Sequence, residues 1–219
     1  MIKRIVTGIH IFITCIKSGF YGIYGWYKIS QLSGPVITIF GATSVAQYTP
    51  YTQLAHDIAH QCVVLGMSVL TGGGPGVMEA ANCGAHHQSQ KEQKQYQHVL
   101  GISVQRLDSG YTNPCPPIIQ VNTFFIRKWL LMNYSYAFII LPGGIGTADE
   151  LFEVLNLIVT EKLQRVPIVL VGSSYWQPLI DWYYTSGIAH GLINAHWSDL
   201  FIVVDSVEDV MRAIKKYYG

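Results

Sequence analysis

The sequence predicts a doubly wound, Rossmann-like α/β fold: a mostly parallel sheet of about six or seven strands with helices on both faces. Three observations predict it. Apolar runs of strand length alternate with helix-spaced segments through most of the chain. Two of those runs end in glycine turns that open directly into helices. Half of the 219 residues are apolar and only 12% are charged, so most elements must be buried on at least one face. This length suits one domain with a full core.

Residues 1–34 stand apart as an N-terminal helical extension, and residues 35–219 read as a single domain. Ile5 to Ile16 is apolar and flanked by Lys3, Arg4 and Lys17. It resembles a signal-peptide core, but no small-residue cleavage site follows. The run is also shorter than the roughly 20 residues that cross a bilayer, so no membrane span is expected. Residues 2–31 read as one or two helices docked on the domain or on a partner subunit, with membrane association as the lesser reading.

Pro35 opens the domain, and Val36–Phe40 is a buried strand ended by Gly41-Ala42-Thr43-Ser44. Tyr51 to Leu65 has helix spacing, stopped by Gly66. Met67–Leu70 is a strand, Thr71–Gly76 a glycine turn, and Val77 starts a helix. Residues 86–98, rich in Gln and His, read as a solvated loop or helix extension. Val99–Val104 and Ile118–Val121 are strands, separated by a proline-containing loop. Thr123–Tyr134 is a helix carrying Arg127 and Lys128. Ala137–Leu141 is the central strand; its turn, Pro142–Thr147, runs into a helix that ends near Val159. Val166–Val171 and Leu200–Val204 are strands, and 176–189 and 207–217 are helices.

Net charge is +1 with no Lys/Arg block, which gives no nucleic-acid surface. Cys15, Cys62, Cys83 and Cys115 form no CxxC and read as buried free thiols, which fits a reducing, cytoplasmic compartment. Low charge on so apolar a chain suggests that a second subunit covers part of the surface.

The chemistry gathers at the turns. A glycine turn between strand and helix presents backbone N–H groups to an anion, and glycine lets the chain approach closely. Neither turn has good G-x-G-x-x-G spacing, and no Walker GK[ST] is present, so a phosphate is supported but a full dinucleotide or ATP–Mg²⁺ site is not. Nothing marks a covalent nucleophile, and His86, His87 and His98 lack the carboxylate or Cys pattern of a metal site. Arg127 and Glu150 remain as the chemically interesting pair. Asp149 and Glu150 are expected in the first helical turn, where the helix dipole favours carboxylates.

Pro142-Gly143-Gly144-Ile145-Gly146-Thr147-Ala148-Asp149-Glu150 matches the PGGxGTxxE motif of the LOG ("Lonely guy") family, often labelled lysine decarboxylase-like. Arg127-Lys128 resembles that family's Arg-Lys pair, and Gly72–Asn82 resembles its second signature in the form of the bacterial branch, whose N-terminal extension residues 2–31 also resemble. The resemblance runs from about Pro35 to Tyr217. It implies hydrolysis of the N-glycosidic bond of a nucleoside 5′-monophosphate, AMP or an N6-modified AMP (a cytokinin ribotide), with no metal or organic cofactor and commonly as a homodimer. Catalysis would fall to Arg127 and Glu150. Substrate would be held by Gly41, Ser44, Gly73, Gly74, Met78, Glu79, Lys128, Gly143, Gly144, Gly146, Thr147 and Asp149. The apolar helices around Trp129 and Leu155 would form the dimer.

Lysine decarboxylation is not expected, since no lysine is marked as a pyridoxal Schiff-base partner. The chain departs from the family at Ala42, where a serine is usual, at Ser109 and Asp108, where a glutamate is usual, and at Asn156, where a threonine is common. These changes bear on base preference. The alternative is a binding protein of the same fold that holds a nucleotide or phosphorylated cofactor without cleaving it, as molybdenum-cofactor carriers do.

Overall fold

The structure, a computed structural model, describes residues 2–91, 98–105, 107 and 110–218. Seven strands form one sheet in the order β4-β3-β2-β1-β5-β6-β7, every neighbouring pair parallel. In chain order the elements are α1 (Ile2–Ile29), β1 (Val36–Phe40), α2 (Pro50–Val64), β2 (Ser68–Thr71), α3 (Val77–Lys91), β3 (Val99–Val104), β4 (Ile118–Val121) and α4 (Phe124–Asn133). They continue with β5 (Ala137–Ile140), α5 (Ile145–Val159), β6 (Ile168–Val171), α6 (Ser173–Trp182), β7 (Phe201–Val204) and α7 (Val207–Tyr218). A short π-helical turn extends α6 through Ile188. The predicted alternation holds, with all strands parallel.

Parallel strands need coverage on both faces. On one face Ile37, Ile39, Val69 and Val169 pack with Ile58, Ala81 and Val210. On the other, Phe40, Leu70, Phe138 and Leu170 pack with Leu130, Leu131, Leu151 and Leu155. Strand order reverses between β1 and β5, so the chain leaves their C-terminal ends in opposite directions and opens a crevice there. Thr38, buried in β1, donates to the Leu131 carbonyl at 3.0 Å and so fixes the end of α4 to the central strand.

Two expectations are corrected. Cys83 and Cys115 are joined in a disulfide, which ties α3 to the loop before β4; Cys15 is free and exposed, and only Cys62 is a buried free thiol. The two cysteines lie 32 residues apart, and only the fold brings their Cα atoms to 5.0 Å. The thiols therefore give no argument for a reducing compartment. Second, the N-terminal segment is one continuous helix, within the one or two expected, and its apolar stretch is longer than the Ile5–Ile16 run. Over Val6–Ile29 it is long and apolar enough to cross a membrane by length and composition. Its later half docks on the domain, as expected, through Gly22, Gly25 and Ile29, while residues 6–9 and 11–13 are exposed.

Helices α2 and α3 meet backbone to backbone. A Cβ at Gly84 would lie 2.1 Å from the carbonyl oxygen of His56, and no rotamer change relieves a main-chain clash. Gly84→Ala should therefore lower stability by about 1–3 kcal/mol, the usual cost of overpacking, read as a lower urea midpoint. An unchanged midpoint would mean that the two helices slide apart freely.

Candidate active site

The site forms where three turns converge at the carboxyl ends of β1, β2 and β5. Backbone hydrogen bonds lock the turns together. The Ala42 N–H donates to the Pro142 carbonyl at 3.1 Å, and the Val77 N–H to the Ala42 carbonyl at 3.0 Å. Gly76, at φ +70, passes so close that a Cβ would sit 2.5 Å from the Ala42 oxygen. Thr71, Asn82 and Asn113 brace the β2 turn from below: Thr71 donates to Asn82 at 2.5 Å, the Gly73 N–H donates to Thr71 at 3.0 Å, and Asn113 donates to the Gly73 carbonyl at 3.3 Å. The cleft above these turns has a volume of about 350 Å³. A larger, apolar cleft of about 580 Å³ lies between α5 and the segment from Trp182 to Leu200, away from the glycine turns.

Arg127 and Glu150 meet in the smaller cleft. Thr123 caps α4, accepting from the Ile126 N–H at 3.3 Å, and this sets the helix phase that turns Arg127 inward. The Arg127 Nε donates to the Ile102 carbonyl at 3.0 Å, and its Nη1 donates to Glu150 Oε1 at 3.1 Å. Both side chains are about nine-tenths buried. The guanidinium runs through the space beside Gly72, where a Cβ would lie 1.8 Å from Nη2. Any side chain at Gly72 would evict Arg127.

Helix α5 starts at Ile145, with Gly144 as its extended N-cap. Gly144 and Gly146 have open space where a Cβ would point, and both line the cleft with Thr147. Helix geometry aims the first-turn N–H groups out of the helix start, toward an anion. Asp149 and Glu150 are not in the first turn, as expected, but in the second, and the first turn carries no acid. The helix dipole is therefore no sufficient reason for Glu150. Its partner is Arg127.

The cleft gathers Gly41, Ser44, Gly74, Met78, Arg127, Gly144, Gly146, Thr147 and Glu150 from the sequence-predicted set. Five others do not line it. Lys128 points away from Arg127, because successive helical residues diverge by about 100°, and pairs with Asp149 and Glu153, each at 2.5 Å. Gly73 faces the β3–β4 side. Glu79 accepts from the Tyr111 hydroxyl at 2.5 Å. The Gly143 carbonyl accepts from the Tyr175 hydroxyl. Asp108 and Ser109 lie outside the described residues. Conversely, Ala42, Thr43, Gly72, Leu107, Phe124 and Ile145 line the cleft without having been selected. Phe124 was legible as the residue one helical turn before Arg127. Gly72 was legible only as the first glycine of its run.

The Glu150 carboxyl is pushed up from the ordinary glutamate range, because burial outweighs the opposing pull of Arg127. The ion pair and the upward shift point in opposite directions. The shift prevails because the carboxylate loses most of its water to gain one charged partner. Among the described residues, no group of three or more His, Cys, Asp or Glu is placed to hold a metal ion.

Comparison with known proteins bears on this site. The family model described as "Possible lysine decarboxylase" matches residues 78–214. The chain is 33% identical over 184 residues, 83% of each chain, to a cytokinin riboside 5′-monophosphate phosphoribohydrolase of Arabidopsis thaliana. It is 26% identical over 174 residues to the pyrimidine/purine nucleotide 5′-monophosphate nucleosidase of Escherichia coli K12, of which it spans 36%. Among solved structures it superimposes on the molybdenum cofactor binding protein of Rippkaea orientalis (TM-score 0.60, 19% identity, 84% of this chain and 98% of that one). It also superimposes on the molybdenum cofactor carrier protein of Chlamydomonas reinhardtii (TM-score 0.56, 21% identity, 83% and 96%). At these identities the two structures establish the fold.

The raised carboxyl makes stability depend on pH with a defined sign. A folded-state pKa above the unfolded value gives stability that is whole below the unfolded value, 4.5 for glutamate, and lost as pH rises through the folded one. Glu150→Gln cannot ionise. The variant should gain stability relative to the wild type as pH rises from about 4 to about 8, measured as the difference in denaturant midpoints. A difference that moves the other way would mean that the Arg127 pair outweighs burial.

Proposed function

The chain belongs to the LOG, or lysine decarboxylase-like, family, and from that premise we propose that it hydrolyses the N-glycosidic bond of a nucleoside 5′-monophosphate, releasing free base and ribose 5-phosphate. One observation carries the proposal: a buried carboxyl, Glu150, held by a guanidinium in the same cleft as the N-terminus of a glycine-started helix. The 5′-phosphate sits on the first-turn N–H groups of α5 with Thr147. This places the ribose toward Glu150 and the base toward Met78, Leu107 and Phe124, whose apolar surfaces suit a flat heterocycle. The substrate class is AMP or an N6-modified AMP.

Cleavage of the C1′–N bond leaves its electron pair on the base and positive charge on the ribose ring. An ionised Glu150 stabilises that charge more in the transition state than in the ground state. It also accepts a proton from the water whose oxygen bonds to C1′. A carboxyl moved toward neutrality is better matched to proton transfer than an ordinary one. Arg127, locked by the Ile102 carbonyl, orients that carboxyl and offers charge to the departing base. This chemistry draws on no metal or organic cofactor, and among the described residues no lysine lines the cleft for pyridoxal chemistry.

We further propose a homodimer. Phe125 and Trp129 on α4 and Phe152 and Val159 on α5 are exposed apolar side chains beside the Lys128–Asp149–Glu153 cluster, a surface that suits a second copy. Leu155, expected there, is instead 1% exposed and belongs to the core.

Incubation with AMP and with an isopentenylated AMP, followed by chromatography, should yield free base and ribose 5-phosphate from at least one of them. Glu150→Gln should lower kcat by about 100-fold or more while the Kd for the nucleotide stays within about threefold. Tight AMP binding with no base released from either nucleotide would favour the non-cleaving, carrier-like reading. Wild-type turnover in the Gln variant would remove Glu150 from the chemistry.

A further inference from the structure

Helix α1 has two faces of opposite kind. Thr14, Ser18, Tyr21, Gly22, Gly25, Lys28 and Ile29, recurring at helical spacing, are the half-buried and buried positions among its described side chains and form one stripe. This stripe docks on the domain. Asn122 donates to the Ser18 hydroxyl at 3.0 Å, and Gln105 donates to Tyr21 at 2.7 Å. At Gly25 the helix comes close enough that a Cβ would lie 2.3 Å from Leu130. On the opposite side, Ile9, Ile13, Ile16, Phe20, Ile23 and Tyr27 repeat at the same spacing, each between 45% and 71% exposed. Helical geometry puts this stripe about 180° from the docked one. An apolar ridge of roughly 27 Å, at 1.5 Å per residue, thus points directly away from the protein.

Charge indicates what covers the ridge. The first acidic residue of the chain is Asp57; before it stand Lys3, Arg4, Lys17 and Lys28. A second copy of α1 would add only positive charge, with no carboxylate on either helix to pair it. An anionic lipid surface supplies the missing charge and accepts the apolar ridge. The aromatic side chains Tyr24, Trp26 and Tyr27 suit its headgroup boundary. Docking of the Ser18–Ile29 half holds one face against protein, so α1 lies along a membrane surface and does not cross it. We propose that α1 is an in-plane anchor, through which the protein binds anionic membrane surfaces reversibly by inserting the Ile9–Tyr27 ridge.

The full chain is sedimented with sucrose-loaded vesicles of phosphatidylcholine alone or with about 30 mol % phosphatidylglycerol. Binding to the anionic vesicles should exceed binding to the neutral ones by about tenfold or more and should weaken as salt is raised. The pair Ile13→Glu and Phe20→Glu, which alters exposed side chains only, should abolish pelleting while the circular dichroism spectrum and thermal midpoint stay unchanged. Lys17→Glu should weaken binding without abolishing it. Pelleting of the double variant like the wild type, or equal binding to both vesicle types, would overturn the proposal. So would failure of the wild type to bind either vesicle, with the double variant instead sedimenting as a smaller species, since the ridge would then be an interface between copies.

Discussion

The passage of the Arg127 guanidinium through the space left by a missing side chain at Gly72 is the contact on which the site depends. It joins three parts of the fold that are distant in sequence. Helix α4, before β5, supplies the cation, the β2 turn supplies the gap, and helix α5, after β5, supplies the carboxylate. A buried ion pair contributes little net stability, because desolvation offsets the attraction. Its value here is positional. With Nε fixed on the Ile102 carbonyl and Nη1 on Glu150, the carboxyl has one orientation, toward the cleft that also holds the start of α5.

The turns are assembled on the same principle. The Gln47 side chain bridges two of them, donating to the Gly76 carbonyl at 3.1 Å. They hold together through main-chain hydrogen bonds and through the absence of Cβ atoms at points of contact, as where Gly76 passes the Ala42 carbonyl. Such a construction leaves N–H groups and polar space at the strand ends, where doubly wound sheets bind their ligands. It also separates roles along one helix. Arg127 faces the cleft, and its neighbour Lys128 is turned to a different set of carboxylates on α5.

The extension before the domain follows a different logic. Its docked face is made mostly of small and hydroxyl residues that allow close packing, with Ile29 reaching the core. Its outward face is made of large apolar residues that the domain leaves uncovered. A helix patterned only to complete the core would place the large residues inward. The reversal assigns the outward face to something beyond the chain.

The sequence by itself determined the strand–turn–helix alternation, the location of the glycine turns, and Arg127 and Glu150 as the pair to look for. Each is a local property: strand runs, glycine runs and helix spacing are written in neighbouring residues. Tertiary structure alone decided the rest. Cys83 and Cys115 carry no spacing signal, and their bond exists because the crossover brings α3 against the loop before β4. Lys128, Asp149, Glu79 and Gly73 stand in motif positions, yet helix phase and turn direction point them away from the cleft. Phe124, Leu107 and Gly72 enter it because strand order places their loops there. Which way α1 presents its apolar side was also undecided, since periodicity gives a face but not what lies against it. The physical reason is common to all of these. Short-range patterning fixes what a segment becomes, whereas side-chain direction and pairing depend on which segments the sheet makes neighbours.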